Sequence, residues 1–330
     1  MISAIQSHGS KNNFIIIDEK DIQFKPSDEA RAAWTKKLCV DTQTDGLLFI
    51  SESVKAQAKM RVFNSDGSEA SMCGNGLRCA ARYIAERDQV ESFEVETMKA
   101  VLHVEQVDEL YGDIPTYSVE ISPVLFDLES LPLKLGQKKQ LILEPVPEWE
   151  KDCLYTAIAV PNPHVITNVP VEMINSDSQE KLATSFNSEN EWFTDGVNVS
   201  YVVELGEGEF FVRTFERGVG FTNACGTAMS SSSLVQVLAG KWRPGVPINI
   251  FNDGGRVKCV VHGENDQYDH IDLIGNATFT HHLELTLSEN GEAAILKSNE
   301  TNEDKIYEKM AEASKEYLRN VQPELKLRQN

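Results

Sequence analysis

The feature that most restricts this chain is an internal repeat. "RVFNSDGSEASMCGNG" begins at Arg61, and "RTFERGVGFTNACGTA" begins at Arg213. Each starts Arg-x-Phe and reaches a Cys-Gly pair twelve residues after its arginine, at Cys73 and Cys225. A helix-like run follows each pair. The two copies lie 152 residues apart in a chain of 330, which implies two related halves. We divide the chain into residues 1–131 with Cys73, a Pro-rich charged link over 132–149, residues 150–288 with Cys225, and a polar, partly helical tail over 289–330. The last strand of the second half is allowed to return to the first.

Strand-like segments support the division. The first half offers "FIIID" (14–18), "LLFIS" (47–51), "AKMRVFN" (58–64), "AVLHVEQV" (100–107) and "TYSVEISPV" (116–124). The second offers residues 155–160, 196–205, 209–215, 248–253, 256–263 and 270–275. Helices are expected near 27–38 and 177–187, and after each repeated cysteine. In the tail, Ile306, Met310, Ala313 and Tyr317 form a helical stripe. It is either docked on its own chain or an oligomer contact, as in a homodimer.

Composition excludes several functions. Acidic residues outnumber basic ones 51 to 31, for a net charge of −20. Nucleic acid and anionic membranes are therefore poor partners, and an anionic substrate needs local positive charge at its site. The start of the chain shows no secretory leader pattern and no run reaches transmembrane length, so the cytoplasm is expected. The six cysteines are scattered, without disulfide-scaffold or zinc-ligand spacing.

A thiol at a helix start has a chemical purpose. The first backbone N–H groups of a helix lack internal partners and sit at its positive end. They favour a thiolate and can hold a carboxylate or a developing oxyanion. Gly74, Gly76, Gly226 and Ala228 leave those groups uncovered. Two such thiols addressing one carbon suggest stereoinversion, one sulfur removing the α-proton and the other delivering a proton to the opposite face.

These residues, with "HGSKNNF" (8–14), "NSDGSEASMCGNGLRCAARY" (64–83), "PNPH" (161–164), "DGVNVS" (195–200) and "ERGVGFTNACGTA" (216–228), make the chain resemble the diaminopimelate epimerases. The resemblance implies an α+β fold of two pseudo-symmetric domains, each a strongly curved mixed sheet or barrel around a central helix. It implies a cofactor-independent epimerase that interconverts LL- and meso-diaminopimelate on the route to lysine and peptidoglycan precursors. It assigns Cys73 and Cys225 as the two bases, and Gly74, Asn75, Gly226 and Thr227 as the α-carboxylate cradle. Asn12, Asn64, Asn162, Asn198, Glu216 and Arg217 become contacts to the substrate's distal amino-acid group. His164 and Glu216 are expected to tune the thiols. No metal and no cofactor are expected. Gly46 departs from the family pattern, where glutamine is usual, and Asn13 stands where aspartate is usual.

Three other readings use parts of the same pattern. Another cofactor-independent racemase, acting on proline, hydroxyproline or histidine, would keep the thiols but not need Arg217. A cysteine hydrolase or amidotransferase would use Cys73 with His164 and leave Cys225 idle. A binding protein would keep the carboxylate cradles but not two thiols.

Overall fold

A computed structural model describes residues 1–264 and 267–328. The chain forms two compact units, one of residues 1–119 with 274–310, the other of residues 120–273 with 311–330.

In the first unit, strand Ile2–Gly9 pairs antiparallel with Asn12–Asp18, which runs parallel to Gly46–Ser51. Gly46–Ser51 pairs antiparallel with Ala58–Asn64, which has the short strand Glu69–Ala70 and the parallel strand Ser92–Glu96 as further partners. Ser92–Glu96 then pairs antiparallel with Val101–Val107. The second unit repeats this order. Leu154–Ala159 pairs antiparallel with Pro163–Asn168, which is parallel to Asn198–Gly206. Asn198–Gly206 is antiparallel to Glu209–Glu216, which meets Gly220–Thr222 and the parallel strand Ile248–Asn252. Gly255–Glu264 closes the series. The duplication read from two cysteines therefore extends to every strand pairing in this series.

The helices obey the same repeat. Asp28–Thr42 and Ser178–Phe186 fill the crossovers between the parallel strands. Gly74–Asp88 and Gly226–Leu238 each follow a repeated cysteine and pack against strands of their own unit. Gly226–Leu238 is buried along almost its whole length, including Ser230, Ser231, Ser232 and Ser233. Three of these hydroxyls bond back to the helix, Ser230 to Gly226 O at 3.0 Å, Ser231 to Thr227 O and Ser233 to Met229 O at 2.9 Å, while Ser232 Oγ is buried without a hydrogen-bond partner among the described residues.

Several expectations change in detail. The link over 132–149 is not a bare connector: Leu133, Leu141, Val146 and Trp149 are buried in the second unit's core, where Trp149 packs edge-on against Tyr155 and Phe186. The tail begins with a strand, Ala293–Glu300, antiparallel to Thr278–Leu287. Most of its side chains are exposed, as on an edge, so it lacks the apolar alternation that announces a strand. The tail helix is Asp304–Val321, and its buried line is Tyr307, Met310, Ser314 and Leu318. This shifts the expected stripe by about one residue, because Ser314 is buried and Ile306 only half-buried. Tyr307 meets His8 edge-on at 4.6 Å, and Asp304 takes hydrogen bonds from His8 Nε2 (2.8 Å) and Lys11 Nζ (2.6 Å). The helix thus fixes the 8–12 loop of the first unit.

The repeated arginines are structural in different degrees. Arg61 bonds Glu69 twice at 2.7 Å and Asp28 at 2.7 Å, in a half-exposed position. Arg213 is buried, with Asp253 at 3.0 and 3.2 Å and the carbonyls of Ile174 and Lys326 at 2.8 and 2.6 Å. Removing Arg213 strands a buried carboxylate and two carbonyls. Arg213→Met is expected to cost about 3–5 kcal/mol in stability, and Arg61→Met about 1 kcal/mol. Urea denaturation of the two variants checks this; equal losses would refute the difference in burial as the cause.

Candidate active site

Cys73 is the residue at which strand-like backbone turns into helix. Its φ and ψ are −142° and 115°, its carbonyl accepts the Leu77 N–H at 2.8 Å, and Gly76 N–H donates to its sulfur at 3.5 Å. The thiol therefore occupies the N-cap place usually held by a hydroxyl or carboxylate. Cys225 repeats the position, with φ −112° and ψ 111°, at the start of Gly226–Leu238.

The first unit gathers three of its expected residues. Asn12 opens its strand, and its Oδ1 accepts from Cys73 Sγ at 3.5 Å and from Asn75 Nδ2 at 3.4 Å. Gly74 and Asn75 form the buried first turn of the helix. Asn64 is exposed at its strand end and donates instead to Ser68 Oγ at 3.1 Å. Two residues that sequence reasoning missed hold this arrangement. Asp45 accepts from Asn12 Nδ2 at 2.9 Å and from Asn13 N at 2.7 Å. Arg78, fully buried, donates to Asn75 Oδ1 at 3.0 Å, Ser10 Oγ at 3.1 Å and Asn276 O at 3.1 Å. It is a fixed cation one turn inside the helix start, in a chain whose overall charge is strongly negative. Its signal was hidden, because Asn75, Arg78 and Arg82 share one helix face and read as a solvated stripe, whereas all three are buried. Gly46 also has a reason: a Cβ there would lie 2.4 Å from Phe63 O.

The second unit gathers more. His164 Nε2 lies 3.1 Å from Asn162 Oδ1 and 3.0 Å from Thr227 Oγ1, and Thr227 Oγ1 lies 3.5 Å from Cys225 Sγ. Because Asn162 Oδ1 only accepts, the ring proton belongs on Nε2, leaving the Thr227 hydroxyl to donate to sulfur. Burial, helped by the Arg217 charge, pushes the His164 pKa down to about 3, so the ring is neutral near pH 7. Asn198 is buried beside His164 in parallel register, and its Oδ1 accepts the Arg217 N–H at 2.9 Å. The exposed Arg217 guanidinium donates to Asp195 O at 3.1 Å. Glu216 accepts from Thr222 Oγ1 at 2.5 Å.

Strand register aligns the two sets. Gly46 and Asn198 begin equivalent strands, partnered by Phe14 and His164; two residues before these partners lie Asn12 and Asn162. Asn64 and Glu216 end the next equivalent strands. Asn12 and Asn162 are therefore a like pair at equivalent places, whereas Phe14 and His164, Gly46 and Asn198, and Asn64 and Glu216 are unlike pairs.

The Cys225 thiol is pushed well above its usual range, first by burial and then by the Glu216 carboxylate; the Thr227 hydroxyl and the Ala228 N–H only partly oppose this. This corrects the expectation of a lowered thiol pKa there. A helix start favours the thiolate, but complete burial beside a carboxylate outweighs it. Cys225 thus holds its proton. Among the other cysteines, burial raises Cys39, Cys153 and Cys79, the last to about 11, and Cys259 is buried, as suits packing residues.

The sequence model of the family described as diaminopimelate epimerase matches residues 4–111 and 156–280. The chain belongs to the diaminopimelate epimerase family. It is 45% identical over 322 residues to a diaminopimelate epimerase of Listeria innocua, covering 96% of this chain and 97% of that one. A diaminopimelate epimerase of Enterococcus faecalis is 46% identical over 91% of this chain and 95% of its own. Among solved structures, a predicted epimerase from Pseudomonas aeruginosa aligns with a TM-score of 0.60 at 15% identity, covering 87% of this chain and all (100%) of its own. A probable proline racemase from Agrobacterium radiobacter gives 0.59 at 12% identity over 95% of this chain and 100% of its own. These likenesses show the fold, an α+β arrangement of curved sheet domains. Membership makes the chain an isomerase, and no helix among the described residues is long and apolar enough to cross a membrane.

The Glu216 charge yields a test with a definite sign. Removing a negative charge beside Cys225 favours the thiolate, so Glu216→Gln should lower the apparent pKa for alkylation of Cys225. Iodoacetamide labelling across pH, read by peptide mapping, measures it. An unchanged or higher value would remove Glu216 as a cause of the raised thiol pKa.

Proposed function

We propose that this protein interconverts LL- and meso-2,6-diaminopimelate by two-base proton transfer at Cα, using Cys73 and Cys225. The observation that carries the reading is the pair of thiols at equivalent helix starts of a duplicated fold, in a member of this family. The backbone N–H groups of Gly74, Asn75, Gly226 and Thr227 hold the substrate α-carboxylate and stabilise the charge that develops on deprotonation. Cys225 starts as the acid, and Cys73 as the base. In the reverse direction Glu216 receives the Cys225 proton, a role supported by its charge acting on that thiol. His164 stays neutral and orients Thr227 toward that sulfur. Asn12, Asn64, Asn162 and Asn198 supply amide contacts to substrate, and Arg217 clamps the distal carboxylate through its planar fork. The reaction uses the protein's own side chains and backbone N–H groups, takes place in the cytoplasm, and feeds lysine and peptidoglycan precursor synthesis.

Cys73→Ala and Cys225→Ala should each abolish epimerisation. Cys→Ser at either position should nearly do so, a hydroxyl being a far weaker acid. Arg217→Lys should lower kcat/KM for diaminopimelate by about 10- to 100-fold, and amino acids without a distal carboxylate should be poor substrates. Near-normal epimerisation by Cys225→Ala would instead mean that the two-thiol assignment is wrong. Equal rates on diaminopimelate and a simple apolar amino acid would favour a racemase of other specificity.

A further inference from the structure

The second unit carries a cluster of side chains that the proposed reaction does not use. His262 lies near the end of strand Gly255–Glu264, and His270 and Asp272 lie on Gln267–Asn276. The last two are two residues apart and so share one face of their strand. His262 Nε2 is 2.6 Å from Asp272 Oδ2, and His270 Nε2 is 3.7 Å from Asp272 Oδ1. The two imidazoles lie face to face, 4.3 Å between centroids and 10° from parallel. One ligand atom from each of the three residues lies within 4.8 Å of the others.

An ordinary ion pair accounts for one histidine and the carboxylate. It does not account for a second imidazole stacked on the first with its own Nε2 turned to the other carboxylate oxygen. Two imidazolium ions stacked so closely would repel. Two neutral rings offer two nitrogen lone pairs beside one anionic oxygen donor. That donor set suits zinc and its late first-row neighbours better than the hard cations magnesium and calcium.

We propose that His262, His270 and Asp272 bind one late first-row divalent cation of the zinc, cobalt or nickel class, with water completing the shell. Metal–nitrogen bonds of about 2.0–2.1 Å in a tetrahedral site place two nitrogens about 3.3 Å apart. The side chains therefore close in on the ion by small rotations. Their exposures of 36%, 33% and 25% leave room for that movement and for water to reach the ion. The Asp272–His262 hydrogen bond is exchanged for the metal bonds. No local sequence spacing announced this site, because its third ligand arrives from a second strand. Its occupancy is independent of the proton-transfer chemistry, which uses thiols.

The test is titration of tag-free, reduced, full-length protein with Co²⁺, read by visible absorption and by equilibrium dialysis. One equivalent should bind with d–d bands and without near-ultraviolet thiolate charge transfer. His262→Ala, His270→Ala and Asp272→Asn, each with an unchanged circular dichroism spectrum, should weaken binding at least about tenfold. Cys73→Ala should leave the affinity unchanged. Thiolate charge transfer, an affinity that none of the three surface substitutions alters, or absence of binding at millimolar Co²⁺ would each overturn the proposal.

Discussion

The start of a buried helix leaves backbone N–H groups that the helix itself cannot satisfy. In each unit the helix that follows the repeated cysteine is packed among strands, so its first turn must find partners from the loop before it or from a ligand. The chain places a cysteine at that point twice, in extended backbone, directly before glycine. A glycine first turn leaves the N–H groups open, and sulfur satisfies them weakly: Gly76 N–H reaches Cys73 Sγ only at 3.5 Å. What remains is a thiol beside a turn of open backbone N–H groups. The strands on either side serve to present that turn and the residues that face it.

Duplication makes two such turns, and divergence makes them unequal. At equivalent places the first unit has Phe14, Gly46 and Asn64, where the second has His164, Asn198 and Glu216. The second set is the polar and ionisable one. It buries Cys225 beside the Glu216 carboxylate, and burial first and that charge second keep the thiol protonated. The first set relies on Asn12 and on the buried guanidinium of Arg78 behind Asn75. The two cysteines therefore sit at equivalent helix starts in unlike surroundings.

Much of this was legible before the structure. Each expected strand segment overlaps an observed strand, with ends shifted by at most three residues, while Ile2–Gly9, Ser92–Glu96, Pro163–Asn168 and Thr278–Leu287 were not expected. The repeat was visible because Arg-x-Phe, the same gap of twelve residues and a Cys-Gly pair before a helical run recur together. What escaped were residues whose roles exist only through distant contacts. Asp45 matters because the parallel pairing of two strands sets it beside Asn12. The Ala293–Glu300 strand is recognisable by its partner rather than by its own polar sequence. The thiol pKa expected from the helix start alone had the wrong sign at Cys225, since burial and Glu216 depend on packing that spacing does not reveal.

The central claim is that two different groups handle the proton on opposite faces of one carbon. Early turnover of LL-diaminopimelate in deuterated water tests it most directly, with mass and configuration of substrate and product measured together. Two single-proton thiols predict that nearly every product molecule carries deuterium at Cα, while unreacted substrate keeps its protium. Product that retains the original proton, or substrate that exchanges as fast as product forms, would mean that a single base serves both faces.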